Sequence, residues 1–192
     1  MPGFQFQKLK LKDAYLIRPF YAADQRGNFA KLFERDIFRE AGVEFHLNET
    51  FVSRSEKNII RGLHFQLHNP QAKLVTVVAG SAWDVIVDLR LDSPSFAQWS
   101  AEKLTAENHL GFYVPRGFAH GFASLDNGTV MLYQCDGKYD PKTDTGIRYD
   151  DPALNIPWPV DSGMAIHSQR DLKLGSLKEF ISGNICKSLG GG

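Results

Sequence analysis

The chain has 192 residues, enough for a single domain with a substantial core. Lys plus Arg and Asp plus Glu are both 22, so no basic surplus draws the molecule to nucleic acid, although a few local arginines can still hold a small anion. Two distant cysteines, Cys135 and Cys186, argue against a disulfide framework or a zinc site, and no apolar run reaches signal-peptide or membrane-span length, so a soluble, cytoplasmic protein without a membrane partner is expected.

Taken in chain order, Ala30–Phe33 reads as strand-like and Asp36–Ala41 as a short helix. Lys73–Val78 (KLVTVV) and Ala82–Leu89 (AWDVIVDL) are rich in β-branched residues and flank the turn signal Ala79-Gly80. Phe112–Val114, Gly121–Ser124 and Val130–Gln134 continue the series, separated by Pro115-Arg116-Gly117 and Asp126-Asn127-Gly128. A second short helix is predicted near Ser176–Ile181, and residues 183–192 read as a loose tail. Short strands at close spacing predict a mainly β sandwich or barrel with short peripheral helices rather than βαβ units. No linker or repeat divides the chain, so residues 1–192 form one domain.

A two-residue turn at Ala79-Gly80 would pair its flanking strands as a hairpin, with Val78 opposite Ser81 and Lys73 opposite Ile86. Lys73 and Asp84 would then be diagonal neighbours on one sheet face. The competing reading leaves Asp84 capping a strand at the surface.

Titratable residues gather beside these segments: Arg61 and His64 in IIRGLHFQ, Lys73, Asp84, His120 in VPRGFAHGF, and Tyr133. A lone histidine near an apolar strand is more often structural than catalytic. Several such groups on neighbouring strands shift the balance, because a small barrel collects them at its mouth. His64 is followed by Phe65 and Gln66, not by a second imidazole, and His64 with His120 alone makes a poor transition-metal site. No G-x-S-x-G elbow, activated cysteine, P-loop or dinucleotide fingerprint is present. The remaining chemistry is general acid–base catalysis, with neither metal nor cofactor expected.

The chain resembles the dTDP-4-dehydrorhamnose 3,5-epimerase family. The resemblance is carried by DQRGNF (Asp24–Phe29), RSEKNIIRGLHFQ (Arg54–Gln66), the KLV and DVIVDLR block within Lys73–Arg90, and SPSF (Ser93–Phe96). It continues through VPRGFAHGF (Val114–Phe122), the YDP and GIRYDDP pieces of Tyr139–Pro152, and SQRD (Ser168–Asp171), so it spans nearly the whole chain. It implies a cupin jelly roll and a homodimer in which the N-terminal segment, about residues 1–50, reaches the neighbour's site. The implied substrate is a nucleotide-diphosphate 4-keto-6-deoxy sugar, inverted at C3, C5 or both in deoxysugar biosynthesis.

The resemblance also implies roles. His64 matches the base that takes the proton beside the C4 ketone, and Asp171 matches its orienting carboxylate. Lys73 matches the residue at the C4 oxygen, and Tyr133 the acid on the opposite face. Arg26 and Arg61 match arginines near the diphosphate, Arg26 donated by the other subunit. Phe29 and Tyr139 match positions near the nucleobase, where an aromatic ring can stack, with ordinary packing as the competing reading. His120 matches a further active-site histidine, and Asp144 and Arg170 match peripheral binding positions.

Three positions depart from the family pattern. Lys31 stands where an acid is usual, and Glu49 and Phe51 stand where Gln and Asn are usual, with Ser53 and Ser55 kept. Lys31 cannot accept the ring N–H of thymine but can donate to cytosine, which points to a CDP-linked sugar unless the side chain is merely solvated. A CDP- or GDP-linked substrate, a non-catalytic sugar-binding cupin and a ketoisomerase therefore stand beside the dTDP-linked epimerase.

Overall fold

The protein is described by a computed structural model covering residues 3–183, so all of the expected loose tail except Gly183 lies outside the described residues. Strands β1 (Gln5–Lys8), β2 (Tyr15–Arg18), β3 (Phe20–Asp24) and β4 (Gly27–Lys31) precede helix α1 (Arg35–Glu40). Strands β5 (Leu47–Ser55), β6 (Ile60–Gln66), β7 (Ala72–Ala79), β8 (Ser81–Asp88) and β9 (Trp99–Thr105) follow. After β10 (Gly111–Val114), β11 (Phe118–Ser124), β12 (Thr129–Asp136) and β13 (Asp144–Gly146), helix α2 (Leu177–Ser182) closes the described chain.

Two antiparallel sheets, ordered β1-β2-β10-β7-β12-β5 and β13-β6-β11-β8-β9, pack face to face as a cupin jelly roll, while β3 and β4 form a separate hairpin. Side chains alternate along each strand, so every second residue faces the interior. Val75 and Val77 of β7 and Met131 and Tyr133 of β12 thereby meet Ile86 of β8 and Phe122 of β11 in one buried cluster. The outer face of the five-stranded sheet is sealed where Val85 and Val87 lie under Leu177 and Phe180. α2 is fixed there by a capping box in which Ser176 and Glu179 satisfy each other's backbone N–H groups. On the other sheet, Leu74 and Tyr113 are covered by Phe38 of α1, which packs against Phe6 and Phe33 at 5.0 and 4.8 Å. Each such large side chain contributes about 1.5–3 kcal/mol on burial. Both helices fall within a residue of their predicted places, whereas the strand-like Ala30–Phe33 is the end of β4 running on into loop.

The predicted hairpin around Ala79-Gly80 does not form. β7 pairs with β10 and β12, and β8 pairs with β11 and β9, so Gly80 carries the chain from one sheet to the facing one. Lys73 lies opposite Val114 and Cys135, not Ile86. Asp84 is fully buried, which rules out a surface cap. Lys73 and Asp84 nevertheless interact, because each points inward from its own sheet. Among the described residues, no helix is long and apolar enough to cross a membrane.

Candidate active site

A cavity of about 390 Å³ opens between the two sheets. One wall carries Glu49, Phe51 and Ser53 from β5, Lys73 from β7 and Tyr133 from β12; the other carries Arg61, His64 and Gln66 from β6 and His120 and Phe122 from β11. Gln71, Tyr139 and Asp144 complete the rim.

The two histidines are brought together by glycine. A Cβ on Gly62 would lie 2.6 Å from the Gly121 Cα, and one on Gly121 would lie 2.6 Å from the Arg61 carbonyl oxygen, so only two glycines let β6 and β11 approach this closely. The ladder shifts register at that point, leaving His64 directly opposite His120.

Each imidazole has its own carboxylate. His64 Nε2 lies 2.7 Å from Asp171 Oδ1, and Asp171 Oδ2 also accepts the Gly62 N–H at 3.4 Å. Burial works against the charge on Asp171, but the His64 hydrogen bond and charge, the Gly62 N–H and Ser168 together hold its carboxyl below the usual range. An ionised Asp171 requires a proton on the facing Nε2, which leaves Nδ1 of a neutral His64 as the free base. His120 Nε2 sits 2.9 and 3.1 Å from the two oxygens of Asp84.

Across the cavity, Tyr133 stacks on Phe51 with ring centroids 4.6 Å apart and a 12° interplanar angle. Burial pushes its phenol well up, so the resting group is protonated. Burial pushes Lys73 down, while Cys135, Asp144, Glu49 and Asp84 draw it back up. At the rim, Asp144 Oδ2 accepts from Tyr139 Oη and Arg170 Nη2, each at 2.9 Å. Arg61 Nε donates to Ser55 Oγ at 3.1 Å, and Glu49 Oε1 accepts from Gln71 Nε2 at 2.6 Å.

His64, Lys73, Tyr133, Glu49, Phe51, Arg61, His120, Tyr139 and Asp144 therefore line one cavity, with Asp171 and Arg170 joined to it through His64 and Asp144. Arg26, Phe29 and Lys31 do not line it. They sit on the β3–β4 hairpin, which pairs with neither large sheet. Arg26 forks onto Asp24, Phe29 is 56% exposed, and Lys31 pairs with Glu34 at 2.7 Å. Glu34 gives Lys31 an ordinary partner, so the ammonium needs no nucleobase to explain it. Asp84, Gln66 and Gln71 were not among the predicted site residues. Asp84 had a signal, as a carboxylate in an apolar strand, but the glutamines had none beyond their motif neighbours. Among the described residues, no three His, Cys, Asp or Glu side chains converge as metal ligands do.

A family model described as dTDP-4-dehydrorhamnose 3,5-epimerase matches residues 8–179. The dTDP-4-dehydrorhamnose 3,5-epimerase of Methanothermobacter thermautotrophicus is 41% identical over 161 residues, covering 84% of this chain and 87% of that protein. The crystal structure of the Bacillus anthracis dTDP-4-dehydrorhamnose 3,5-epimerase with TDP and PPi bound is similar at a TM-score of 0.87 and 40% identity, over 91% of this chain and 100% of the other. A dTDP-6-deoxy-D-glucose-3,5-epimerase from Legionella pneumophila, in complex with dTDP-4-keto-L-rhamnose, is similar at a TM-score of 0.88 and 36% identity, over 91% and 93% of the two chains.

Proposed function

The chain belongs to the dTDP-4-dehydrorhamnose 3,5-epimerase family, and we propose that it inverts C3 and C5 of a dTDP-linked 4-keto-6-deoxyhexose by proton removal and return. It is a sugar epimerase of the isomerase class, acting in deoxysugar biosynthesis. The observation that carries this assignment is the placement of His64 and Tyr133 on opposite walls of one cavity, with Lys73 on the Tyr133 side.

The C4 ketone acidifies the C–H bonds on both flanking carbons. His64 Nδ1 takes the proton, and Asp171 stabilises the imidazolium that forms. The C–H electron pair moves into a C–C double bond and the carbonyl pair onto the C4 oxygen, where the Lys73 ammonium stabilises the enolate. Tyr133, held protonated by burial, returns a proton to the opposite face and restores the ketone with inverted configuration. Solvent then reprotonates the tyrosinate and removes the proton from His64. A repeat at the second carbon gives the doubly inverted sugar. CDP- or GDP-linked substrates and a non-catalytic role are not favoured, since the relatives are named for dTDP-linked sugars.

The nucleotide end of the substrate would extend towards Arg61, Tyr139 and Asp144. Arg26 and Phe29 would serve the site of a second copy in a homodimer working in the cytoplasm. Two exposed apolar regions support that assembly: the hairpin, with Tyr21 and Phe29, and the sheet positions Val52 and Val78. A monomer by light scattering at assay concentration would remove this part of the proposal.

Solvent-deuterium incorporation into dTDP-4-keto-6-deoxyglucose tests the mechanism. His64→Ala should lower exchange about a hundred- to ten-thousandfold. Tyr133→Phe should spare exchange more than inversion; equal loss in both assays would contradict the assigned roles.

A further inference from the structure

Asp84 has no role in the mechanism above, yet it is fully buried behind the cavity wall on β8. Among the described residues, both of its oxygens share a single hydrogen-bond donor, His120 Nε2. A buried carboxylate with so few donors is poorly satisfied and needs neighbouring positive charge. His120 sets its ring edge against Tyr133, with centroids 5.8 Å apart at 77°. Tyr133 lies opposite Val75 in the β12–β7 ladder, so Lys73, two residues along β7, is its diagonal neighbour on the same sheet face.

The groups acting on Lys73 are Cys135, Asp144, Glu49 and Asp84, and those acting on Asp84 are His120 and Lys73. Asp144 is neutralised by Arg170 and also accepts from Tyr139, whereas Glu49 accepts from the neutral amide of Gln71 and keeps its charge. Burial pushes the Cys135 thiol up to about 11, which keeps it neutral at working pH. Glu49 and Asp84 are the anions left for Lys73, and of the two only Asp84 is fully buried, out of reach of solvent screening. We propose, resting on the acid–base reading of this cavity, that Asp84 is a positioning residue: the buried counter-ion that fixes His120 against Tyr133 and keeps the Lys73 ammonium charged at the substrate's C4 oxygen.

The test follows solvent-deuterium exchange against pH in wild type, Asp84→Asn and Asp84→Glu. Without the counter-charge Lys73 loses its proton more readily, so the alkaline limb of Asp84→Asn should move down by about one pH unit, with roughly tenfold less exchange above it. Asp84→Glu keeps the charge and should keep the limb. An unmoved limb in Asp84→Asn overturns the proposal. Carbon-13 NMR of reductively methylated Lys73 reads its charge without turnover and separates its titration from that of Tyr133. Lys73 titrating at one pH in wild type and Asp84→Asn, or found neutral at pH 7 in wild type, also overturns it, the latter whether or not the variant folds. A wild type that shows the Lys73 shift but no exchange would sink the functional reading and leave the Asp84–Lys73 pairing standing.

Discussion

Asp84 and Asp88 are the same residue on the same strand, four positions apart, and both are fully buried facing inward. Their surroundings are opposite. Asp88 accepts from the backbone N–H, Nε and Nη2 of Arg90 and from the hydroxyls of Ser93 and Ser95. Arg90 in turn lies over Phe118 and reaches Asp13 and the Lys12 carbonyl, tying the N-terminal loop to the end of β8. Burial opposes the Asp88 charge, but those donors hold its carboxyl below the usual range. Asp84 has one imidazole, and burial pushes its carboxyl up despite His120 and Lys73. Buried charge therefore does not by itself mark a working site. A shortfall of donors around that charge does.

The largest effect that separates the two carboxylates is on stability. Asp88→Ala strips the acceptor from a partly buried guanidinium and two hydroxyls and should cost about 3 kcal/mol by urea unfolding, while protein that remains folded keeps its exchange activity. Asp84→Asn still accepts from His120 and should change stability by no more than about 1 kcal/mol, while losing exchange. Comparable destabilisation by the two substitutions would erase the contrast.

Acid titration sharpens it, because the signs are opposite. The folded Asp88 carboxyl is depressed, so its contribution is fully present above the unfolded value and lost as pH falls through the folded one. The gap between wild type and Asp88→Ala should therefore be flat from neutral pH downward and close below about pH 4. The folded Asp84 carboxyl is raised, so wild type should lose ground to Asp84→Asn as pH rises from acid. A gap to Asp88→Ala that stays open at low pH would mean that Asp88 acts through packing alone.

The fold and the cavity were legible in the sequence in part, for uneven reasons. β-branched runs and turn residues located the strands of the middle of the chain, and the short helix expected near Ser176–Ile181 is α2. The pairing of β7 with β8 was misread because both faces of β8 are covered, and a two-residue turn looks the same whether its strands pair or separate into facing sheets. The Lys73–Asp84 proximity survived that error because both side chains face inward in either geometry. Asp171 lies 107 residues from His64, a separation that no local pattern can bridge, and only the family resemblance placed it. Arg26 and Phe29 carried a recognisable motif, but their hairpin does not line this chain's own cavity. Gln66 was passed over as a motif neighbour, although its amide nitrogen donates to the carbonyls of His68, Asn69 and Lys138 and its oxygen accepts the Asp140 N–H, joining two rim loops.

The smallest expected effect asks whether the surroundings of Asp88 are one network or a single well-served carboxylate. Asp13 meets Arg90 Nη1 at 2.9 Å, but its side chain is 55% exposed where Arg90 is 21% exposed. A pair open to solvent on one side is screened, so Asp13→Asn should cost less than about 1 kcal/mol, a difference that should shrink further in high salt. Asp13 holds a left-handed backbone conformation with φ of 66°, which asparagine also tolerates, so the substitution reports the charge and not the turn. Arg90 keeps Asp88, Phe118 and the Lys12 carbonyl in that variant. If Asp13→Asn nevertheless cost as much as Asp88→Ala, the donors around Asp88 would be acting as one cooperative unit anchored at the surface, and the unit to set against Asp84 would be the whole loop clasp.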